Sequence, residues 1–235
     1  MNSVTRATSG AAQPVGPEVD AAPAEPPGPA VLVGRFGRVD KLNAARDGAG
    51  LWNAMREPAL WTYLPYGPFA DAAAFSTWLG PRQELQDPYY YSIKDTSGRA
   101  LGVATLMEIR PKMRVIEVGH ICLGTPLQRT PLATEAIYLL ARYAFETLRY
   151  RRFEWKCHAL NAASRRAAER FGFAFEGIFK NHMIVKGRSR DTAWYAMLDS
   201  DWPRCRAAFE RWLAADNFDG TGRQRRRLEQ IRNTL

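Results

Sequence analysis

The alternation of apolar and polar positions predicts eight strands and five helices along the chain. Strand-like runs occupy 31–39, 89–94, 100–109, 115–123, 152–158, 173–179, 181–185 and 192–198. Apolar residues recur at helical spacing over 42–55, 72–85, 132–148, 162–171 and 202–215. Pro58 ends the first of these helices, because proline cannot continue it, and Asp71 is a cap for the second.

The order of these elements predicts how the sheet is built. Short turns at 95–98 and 111–114 join three consecutive strands, which implies an antiparallel meander. Farther along the chain helices and strands alternate, which implies a mixed sheet with helices on its faces. We therefore predict an α/β (α+β) fold around a mixed, mostly antiparallel central sheet.

One strand, loop and helix form the centre of this arrangement. The strand ends at Leu123, a polar loop carries Gln128, Arg129 and Thr130, and a long amphipathic helix follows. The first amides of a helix have no internal partner and lie at the positive end of its dipole. Pyrophosphate commonly binds at such a place, so the segment predicts a site for a nucleotide-like cofactor.

Composition changes this picture at the two ends of the chain. Of 235 residues, 46% are apolar, which is enough for one domain with a full core. Residues 1–30 are rich in Ala, Pro and Gly and show no periodicity, so we predict a disordered tail. The domain is predicted to span 31–216. Residues 217–235 are predicted to be a basic tail, either a short helix or frayed.

Charge, hydropathy and cysteine usage limit the partners. The net charge of +9 would attract an anionic cofactor, and no known reader motif indicates a nucleic-acid partner. No run approaches the roughly 18 apolar residues of a spanning helix, and no secretory signal is found, so no membrane partner is expected. Cys122, Cys157 and Cys205 lie far apart without metal-ligand spacing. We expect reduced thiols, no metal, and a cytoplasmic location.

Three local motifs carry a family resemblance through their order and spacing. The first is the strand 117–123 followed by 127–136, the second is 161–166 leading to 171–177, and the third is 186–192 before 194–198. Over about residues 31–203 the chain resembles the GNAT (GCN5-related) N-acetyltransferase superfamily. It is most similar to the Rim-type branch, which is ribosomal-protein alanine acetyltransferase-like.

The resemblance implies a fold and a reaction. The GNAT sheet is splayed between strands 4 and 5, which here are the predicted strands 115–123 and 152–158. The implied reaction is a direct acetyl transfer from acetyl-CoA to a primary amine, without a covalent enzyme intermediate. The acceptor is either a protein N-terminus or a small-molecule amine, and the chain would act as a monomer or homodimer.

The resemblance also implies where acetyl-CoA would bind. Backbone groups of Ile121, Cys122 and Leu123 correspond to the strand that pairs with the pantetheine arm. The loop that wraps the pyrophosphate corresponds to Gln128, Arg129, Thr130, Ala133 and Thr134. Asn161 matches a position near the pantetheine amides, and Ser164 matches one near the sulfur.

Two departures from the family pattern leave an alternative open. Pro131 replaces the first glycine of the pyrophosphate loop and donates no amide hydrogen bond, although proline suits the first turn of a helix. Phe171 stands where many relatives carry a tyrosine that protonates the leaving thiolate. The alternative is therefore a catalytically inactive CoA-binding or peptide-binding module of the same fold.

The proton acceptor has two leading candidates on the strand 115–123. His120 has an ordinary pKa near 6.5, which suits a base, and Glu117 could act through water. Because strand side chains alternate, we expect these two residues to point to opposite faces of the sheet. Ser164 could protonate the thiolate or simply cap its helix. His182 is a further candidate for the base.

Overall fold

The computed structural model describes residues 13–235, and their centre is one eight-stranded sheet. Its strands are Val31–Val33 (β1), Gly37–Lys41 (β2), Tyr89–Asp95 (β3), Ala100–Arg110 (β4), Val115–Leu123 (β5), Arg152–His158 (β6), Ala174–Val185 (β7) and Arg188–Leu198 (β8). The order across the sheet is β1-β2-β3-β4-β5-β6-β8-β7. Every neighbouring pair is antiparallel except β5 and β6, which confirms the mixed, mostly antiparallel sheet.

Six helices surround the sheet. They are Ala44–Met55 (α1), Ala72–Leu79 (α2), Pro131–Arg142 (α3), Ala162–Phe171 (α4), Trp202–Leu213 (α5) and Leu228–Arg232 (α6). Helix α1 packs on β4, α3 on β1 and β2, and α4 on β6 and β7. Each of the first four helices follows a cap residue whose side chain accepts a hydrogen bond from a backbone N–H of the first turn. These caps are Asn43, Asp71, Thr130 and Asn161.

Several element boundaries differ from the predicted ones. The predicted strand 31–39 is two strands, because the carboxylate of Glu135 accepts the amides of Arg35 and Phe36 and holds a turn between them. The second helix stops at Leu79 and continues as a 3-10 turn that contains Pro81. The predicted strands 173–179 and 181–185 form the single strand β7, which is irregular between Phe179 and Met183.

The sheet splays between β5 and β6, as the family pattern implies. The two strands pair only over Val115–Glu117 and Arg152–Glu154. On its other edge, β5 carries one extra residue, since Gly119 lies opposite Thr105 but Cys122 lies opposite Val103. This β-bulge contains His120, whose φ is +46°. Beyond Glu117 the backbone of β5 therefore has an edge that no strand within residues 13–235 covers.

Residues 24 and 25, which belong to the predicted disordered tail, contact the domain. Ala24 is buried and its amide donates to the carbonyl of Pro111 at 3.1 Å. The amide of Glu25 donates to the carbonyl of Leu148 at 2.9 Å. Two backbone hydrogen bonds and the buried side chain of Ala24 therefore attach this segment. Residues 1–12, also part of the predicted tail, lie outside the described residues.

The basic end contains the short helix α6, which is one of the two predicted forms, and this helix packs on the domain. Leu228 and Ile231 of α6 are buried, and α6 packs on α5 and α4. The guanidinium of Arg232 donates to the carbonyls of Arg170 and Glu169 at 2.6 and 3.0 Å, at the C-terminal end of α4. The two apolar residues three positions apart outweigh the surrounding arginines.

No helix within residues 13–235 has the length and apolar character to cross a bilayer.

Candidate active site at the splayed strands

A cavity of about 360 Å³ lies where β5 and β6 diverge. Glu117 and His120 of β5 line it from one side, and Lys156 of β6 from another. Ser164 of α4 and Arg190 of β8 also line it. The separation of two strands that are paired only at their beginning thus creates a recess with titratable side chains.

The bulge in β5 brings Glu117 and His120 into the same cavity. Strict alternation would direct side chains three residues apart to opposite faces of the sheet. The extra residue shifts the alternation by one position, so both side chains reach the recess. The expectation that they face opposite ways was therefore wrong.

Glu117 is a buried carboxylate whose one ion pair within residues 13–235 is with Lys156. Its Oε2 lies 2.8 Å from Nζ of Lys156, which also lies 3.1 Å from Oε2 of Glu154. Burial raises the pKa of Glu117 to about 7, and the ammonium of Lys156 opposes that rise only in part. One ammonium shared by two carboxylates leaves Glu117 incompletely neutralised, so it exchanges a proton near neutral pH.

Glu154 shows the opposite behaviour a few ångströms away. Arg110 approaches its Oε2 at 2.6 Å, and Arg152 approaches its Oε1 at 2.8 Å. Burial raises the pKa of Glu154, but these guanidinium groups and Lys156 outweigh burial and lower it. Two neighbouring carboxylates whose pKa values are pushed apart are typical of acid–base sites.

His120 is held by aromatic neighbours and has little basicity. Its Nδ1 lies 2.9 Å from the hydroxyl of Tyr90, and its ring meets Tyr66 edge-on. Burial, together with the charges of Arg82 and Arg190, lowers the pKa of His120 to about 4. The imidazole is therefore neutral at pH 7 and is a poor proton acceptor there.

The first turn of α4 places Asn161 and Ser164 at the cavity wall. The Oδ1 atom of Asn161 accepts the amide of Ser164 at 3.1 Å, so Asn161 is the cap and Ser164 is not. The indole of Trp155 donates to Oγ of Ser164 at 3.0 Å, which leaves the hydroxyl proton of Ser164 able to donate. His182 also lines the cavity, but its Nδ1 lies 3.0 Å from Oγ1 of Thr192.

A second recess, a groove of about 930 Å³, lies on the far side of the α4 turn. Leu123, the start of α3 and one face of α4 line it, and the segment from Trp212 to Glu229 closes it. Arg129, Arg166, Arg170 and Arg223 line the groove, with Glu229 as the acidic residue among the lining groups. The groove therefore suits a polyanionic ligand.

The loop before α3 has the donors that a pyrophosphate needs. The amides of Arg129 and Leu132 make no hydrogen bond to any residue within 13–235. Thr130 caps the helix by accepting the amide of Ala133 at 3.2 Å, and Gln128 donates to the carbonyl of Leu123 at 3.1 Å. Pro131 occupies the first turn, where its missing amide costs least. Acetyl-CoA, with its pyrophosphate and extended arm, fits this set of groups.

The remaining predicted cofactor positions divide between groove and interior. Ala133 and Thr134 line the groove, and Oγ1 of Thr134 accepts from Arg170 at 3.0 Å. Ile121 lines the cavity, while Cys122 is buried and burial raises the pKa of its thiol to about 12. For Ile121 and Cys122 it is the open backbone edge that is available to a ligand.

No cluster of three metal-ligating residues occurs within 13–235.

Two cavity residues and one neighbour of His120 were missed by the sequence analysis. Lys156 lines the cavity and pairs with Glu117, Arg190 also lines the cavity, and Tyr90 contacts His120. The alternation of Glu154 and Lys156 along β6 indicated a shared charged face. Nothing in the sequence gave the register that sets this face beside Glu117.

Comparison with known proteins decides the family. The model of the acetyltransferase (GNAT) domain matches residues 41–174, which is more than half of the chain. The chain belongs to the GNAT acetyltransferase family. It is 30% identical over 122 residues to the probable N-acetyltransferase YjcK of Bacillus subtilis (strain 168), covering 51% of this chain and 67% of that protein.

Solved structures support the same assignment. A GCN5-related N-acetyltransferase from Brucella melitensis is 44% identical, with a TM-score of 0.89 over 91% of this chain and 99% of that one. A probable GNAT-family acetyltransferase from Chromobacterium violaceum is 40% identical, with a TM-score of 0.76 over 83% and 100%. The ribosomal-protein-S5-alanine acetyltransferase from Vibrio fischeri, at 18% identity and a TM-score of 0.60 over 74% and 98%, shares the fold.

Proposed function

We propose that the protein transfers an acetyl group from acetyl-CoA directly to a primary amine, with Glu117 as the proton acceptor. The observation that carries this proposal is a carboxylate with a pKa of about 7 in a cavity beside a cationic groove. A base is most effective when its pKa lies near the working pH. The groove would hold the nucleotide end, and the cavity would hold the amine.

The groups around the groove have matching roles in binding acetyl-CoA. The free amides of Arg129 and Leu132, with the guanidinium of Arg129, would bind the pyrophosphate. The open edge of β5 from His120 to Leu123 would pair with the pantetheine arm. The Nδ2 group of Asn161 remains free to donate to that arm, because only its Oδ1 is used by the cap.

The cavity residues would then move the protons of the transfer. Glu117 takes the proton that the amine nitrogen loses as the new N–C bond forms and the C–S bond breaks. A backbone amide of β5 near Ile121–Leu123 supports the negative charge on the carbonyl oxygen. The hydroxyl of Ser164 donates to the leaving thiolate and regains its proton from solvent. His120 stays neutral and holds the wall through Tyr90.

We further propose a cytoplasmic setting, because Cys122, Cys157 and Cys205 are free, buried thiols. The alternative, an inactive module that only binds CoA or a peptide, agrees with Pro131 and Phe171. Against that alternative, the cavity has a base with a suitable pKa and a hydroxyl able to protonate the thiolate.

The proposal is tested by two measurements on the full-length protein. Isothermal titration should show acetyl-CoA binding, which Arg129→Ala and Asn161→Ala should each weaken. A free-thiol assay over a panel of primary amines should show CoA release that depends on the amine. Binding without amine-dependent thiol release on any amine would identify the inactive CoA-binding module, and absence of acetyl-CoA binding would overturn the acetyl transfer and favour a peptide-binding module.

A further inference from the structure

Arg190 is a cation without a partner in the wall of the cavity. Its side chain is half-buried, and its Nε atom is fully buried with no hydrogen-bond partner in the described part of the chain. None of the ion pairs found among residues 13–235 includes it. Leaving a buried donor unpaired costs stability, more so when the donor is charged. A ligand that supplies the missing acceptor would remove this cost.

The surroundings of Arg190 do not neutralise it. Burial lowers the pKa of its guanidinium, and Glu117 is the carboxylate that opposes this shift. Glu117 is already bound to Lys156 at 2.8 Å. The positive charge of Arg190 also contributes to lowering the pKa of His120 and of His158, so its field crosses the cavity. Of the carboxylates Glu108 and Glu117 that line the cavity, Glu117 has the raised pKa, and Arg190 is a separate guanidinium without an ion-pair partner within residues 13–235.

We propose that Arg190 binds a carboxylate of the acceptor, so that the acceptor is a small amino acid whose amine faces Glu117. This inference rests on the function proposed above and narrows its acceptor class. A guanidinium presents paired N–H donors that match the two oxygens of a carboxylate. A cavity of about 360 Å³ is of the size that holds a small ligand.

The same geometry disfavours the other acceptor class, a protein N-terminus. In a peptide, the carbonyl next to the terminal amine belongs to a neutral amide. Such an acceptor would leave Arg190 without its counter-charge while still excluding water from it. A hydrogen bond to a charged group contributes about 1.5–3 kcal/mol, which corresponds to about 10- to 100-fold in affinity.

The test compares matched acceptors and two variants of Arg190. The acceptor panel contains amino acids, their amides, the corresponding decarboxylated amines, aminophosphonates and dipeptides. Binding of each is measured by calorimetry and turnover by CoA release. Wild type should prefer the free acid over its amide by about 10- to 100-fold in kcat/KM. Arg190→Gln should abolish that preference, and Arg190→Lys should restore part of it.

Arg188→Gln is the matched control, because Arg188 is an exposed arginine on the same strand outside the cavity. It should leave the acid-to-amide preference unchanged. Equal use of acid and amide by wild type, or a preference that survives in Arg190→Gln, would overturn the inference. A preference for aminophosphonates or dipeptides over amino acids would overturn it too.

Binding separates this inference from the proposed function. Loss of amino acid binding in Arg190→Gln, in a protein that releases no CoA with any amine, would support the carboxylate site and overturn the acetyl transfer. CoA release with acids and amides alike would support the acetyl transfer and overturn the carboxylate site. Melting curves of the variants show whether any loss reflects unfolding.

Discussion

Two buried charge clusters lie on the same sheet, and each has a lysine between two carboxylates. In the first, Nζ of Lys94 lies 2.6 Å from Asp40 and 2.9 Å from Asp47. In the second, Nζ of Lys156 lies 2.8 Å from Glu117 and 3.1 Å from Glu154. The first cluster lies where β2 and β3 are paired, and the second lies where β5 and β6 separate.

The first cluster is complete. Besides Lys94, Asp47 accepts hydrogen bonds from Arg46, from the hydroxyl of Ser92 and from the amide of Asn43. Burial alone would raise the pKa of Asp47, but these donors outweigh it and lower the pKa to about 2. The carboxylates of this cluster are paired with Lys94 and Arg46, so the cluster holds structure, and Asp47 stays ionised near neutral pH.

The second cluster is incomplete on one side. Glu154 has two arginines in addition to Lys156, whereas Glu117 has Lys156 alone and borders the cavity. The difference between the clusters is the number of donors per carboxylate and not the residue types. A buried carboxylate that lacks donors becomes a base, and one with enough donors becomes a structural anchor.

The largest expected effect is on turnover. Glu117→Gln should lower kcat by about 10²–10⁴-fold, the usual contribution of a positioned base, while the protein stays folded. In wild type, kcat should rise with pH through about 7, as Glu117 loses its proton. Steady-state kinetics from pH 5 to 9 would check both effects, and an unchanged profile in the variant would remove Glu117 from the role. The matched change Asp47→Asn should spare kcat.

The next effect is on stability and concerns the two lysines. Lys94→Met leaves two carboxylates buried without their shared cation and should cost about 3–5 kcal/mol in the free energy of unfolding. Lys156→Met should cost less, because Glu117 can take up a proton beside the cavity. Urea unfolding of both variants measures the difference. Equal losses would mean that the two clusters do not differ as described.

A smaller effect separates the clusters by the pH dependence of stability. The folded-state pKa of Asp47 is lowered, so its contribution is present above its unfolded pKa of 3.8 and is lost as pH falls towards about 2. The folded-state pKa of Glu117 is raised, so its contribution is present below 4.5 and is lost as pH rises through about 7. Urea midpoints across pH 2–9 should flatten at the acid end in Asp47→Asn and near neutrality in Glu117→Gln.

The smallest effect concerns His120. Because its imidazole is neutral at pH 7, His120→Ala should remove a contact with Tyr90 and not a proton acceptor. The loss of one hydrogen bond is worth about 0.5–1.5 kcal/mol, so kcat should fall by about tenfold or less. Its pH profile should keep the rise through about 7. If kcat instead fell by about 10²-fold or more and no longer rose with pH through about 7, the role of base would return to His120.

The local residue pattern was sufficient for the mixed sheet and for the cap Asp71, but the caps Asn43, Thr130 and Asn161 were not predicted from it. It was insufficient for the cavity, because one extra residue in β5 changes which side chains share a face. Gly119 inside the strand is a signal of such a bulge, since glycine in a strand often marks one. A pattern alone cannot give the register between β5 and β6 that pairs Glu117 with Lys156.

Composition did not identify which residues attach the two ends, for a related reason. It averages over a segment, whereas Ala24 is one buried residue, and Ala24 and Glu25 donate their backbone amides to the domain. At the other end, Leu228 and Ile231 are few among arginines, but they are the residues that pack. Both omissions come from averaging over a segment whose attachment depends on two residues.

The groove beside α3 is assembled from parts of the chain that are made at different times. Its loop and helix wall are complete once α4 has been synthesised, but the wall from Trp212 to Glu229 follows about 40 residues later. A chain that stopped before Trp212 would therefore lack this wall, and the groove would be open on that side.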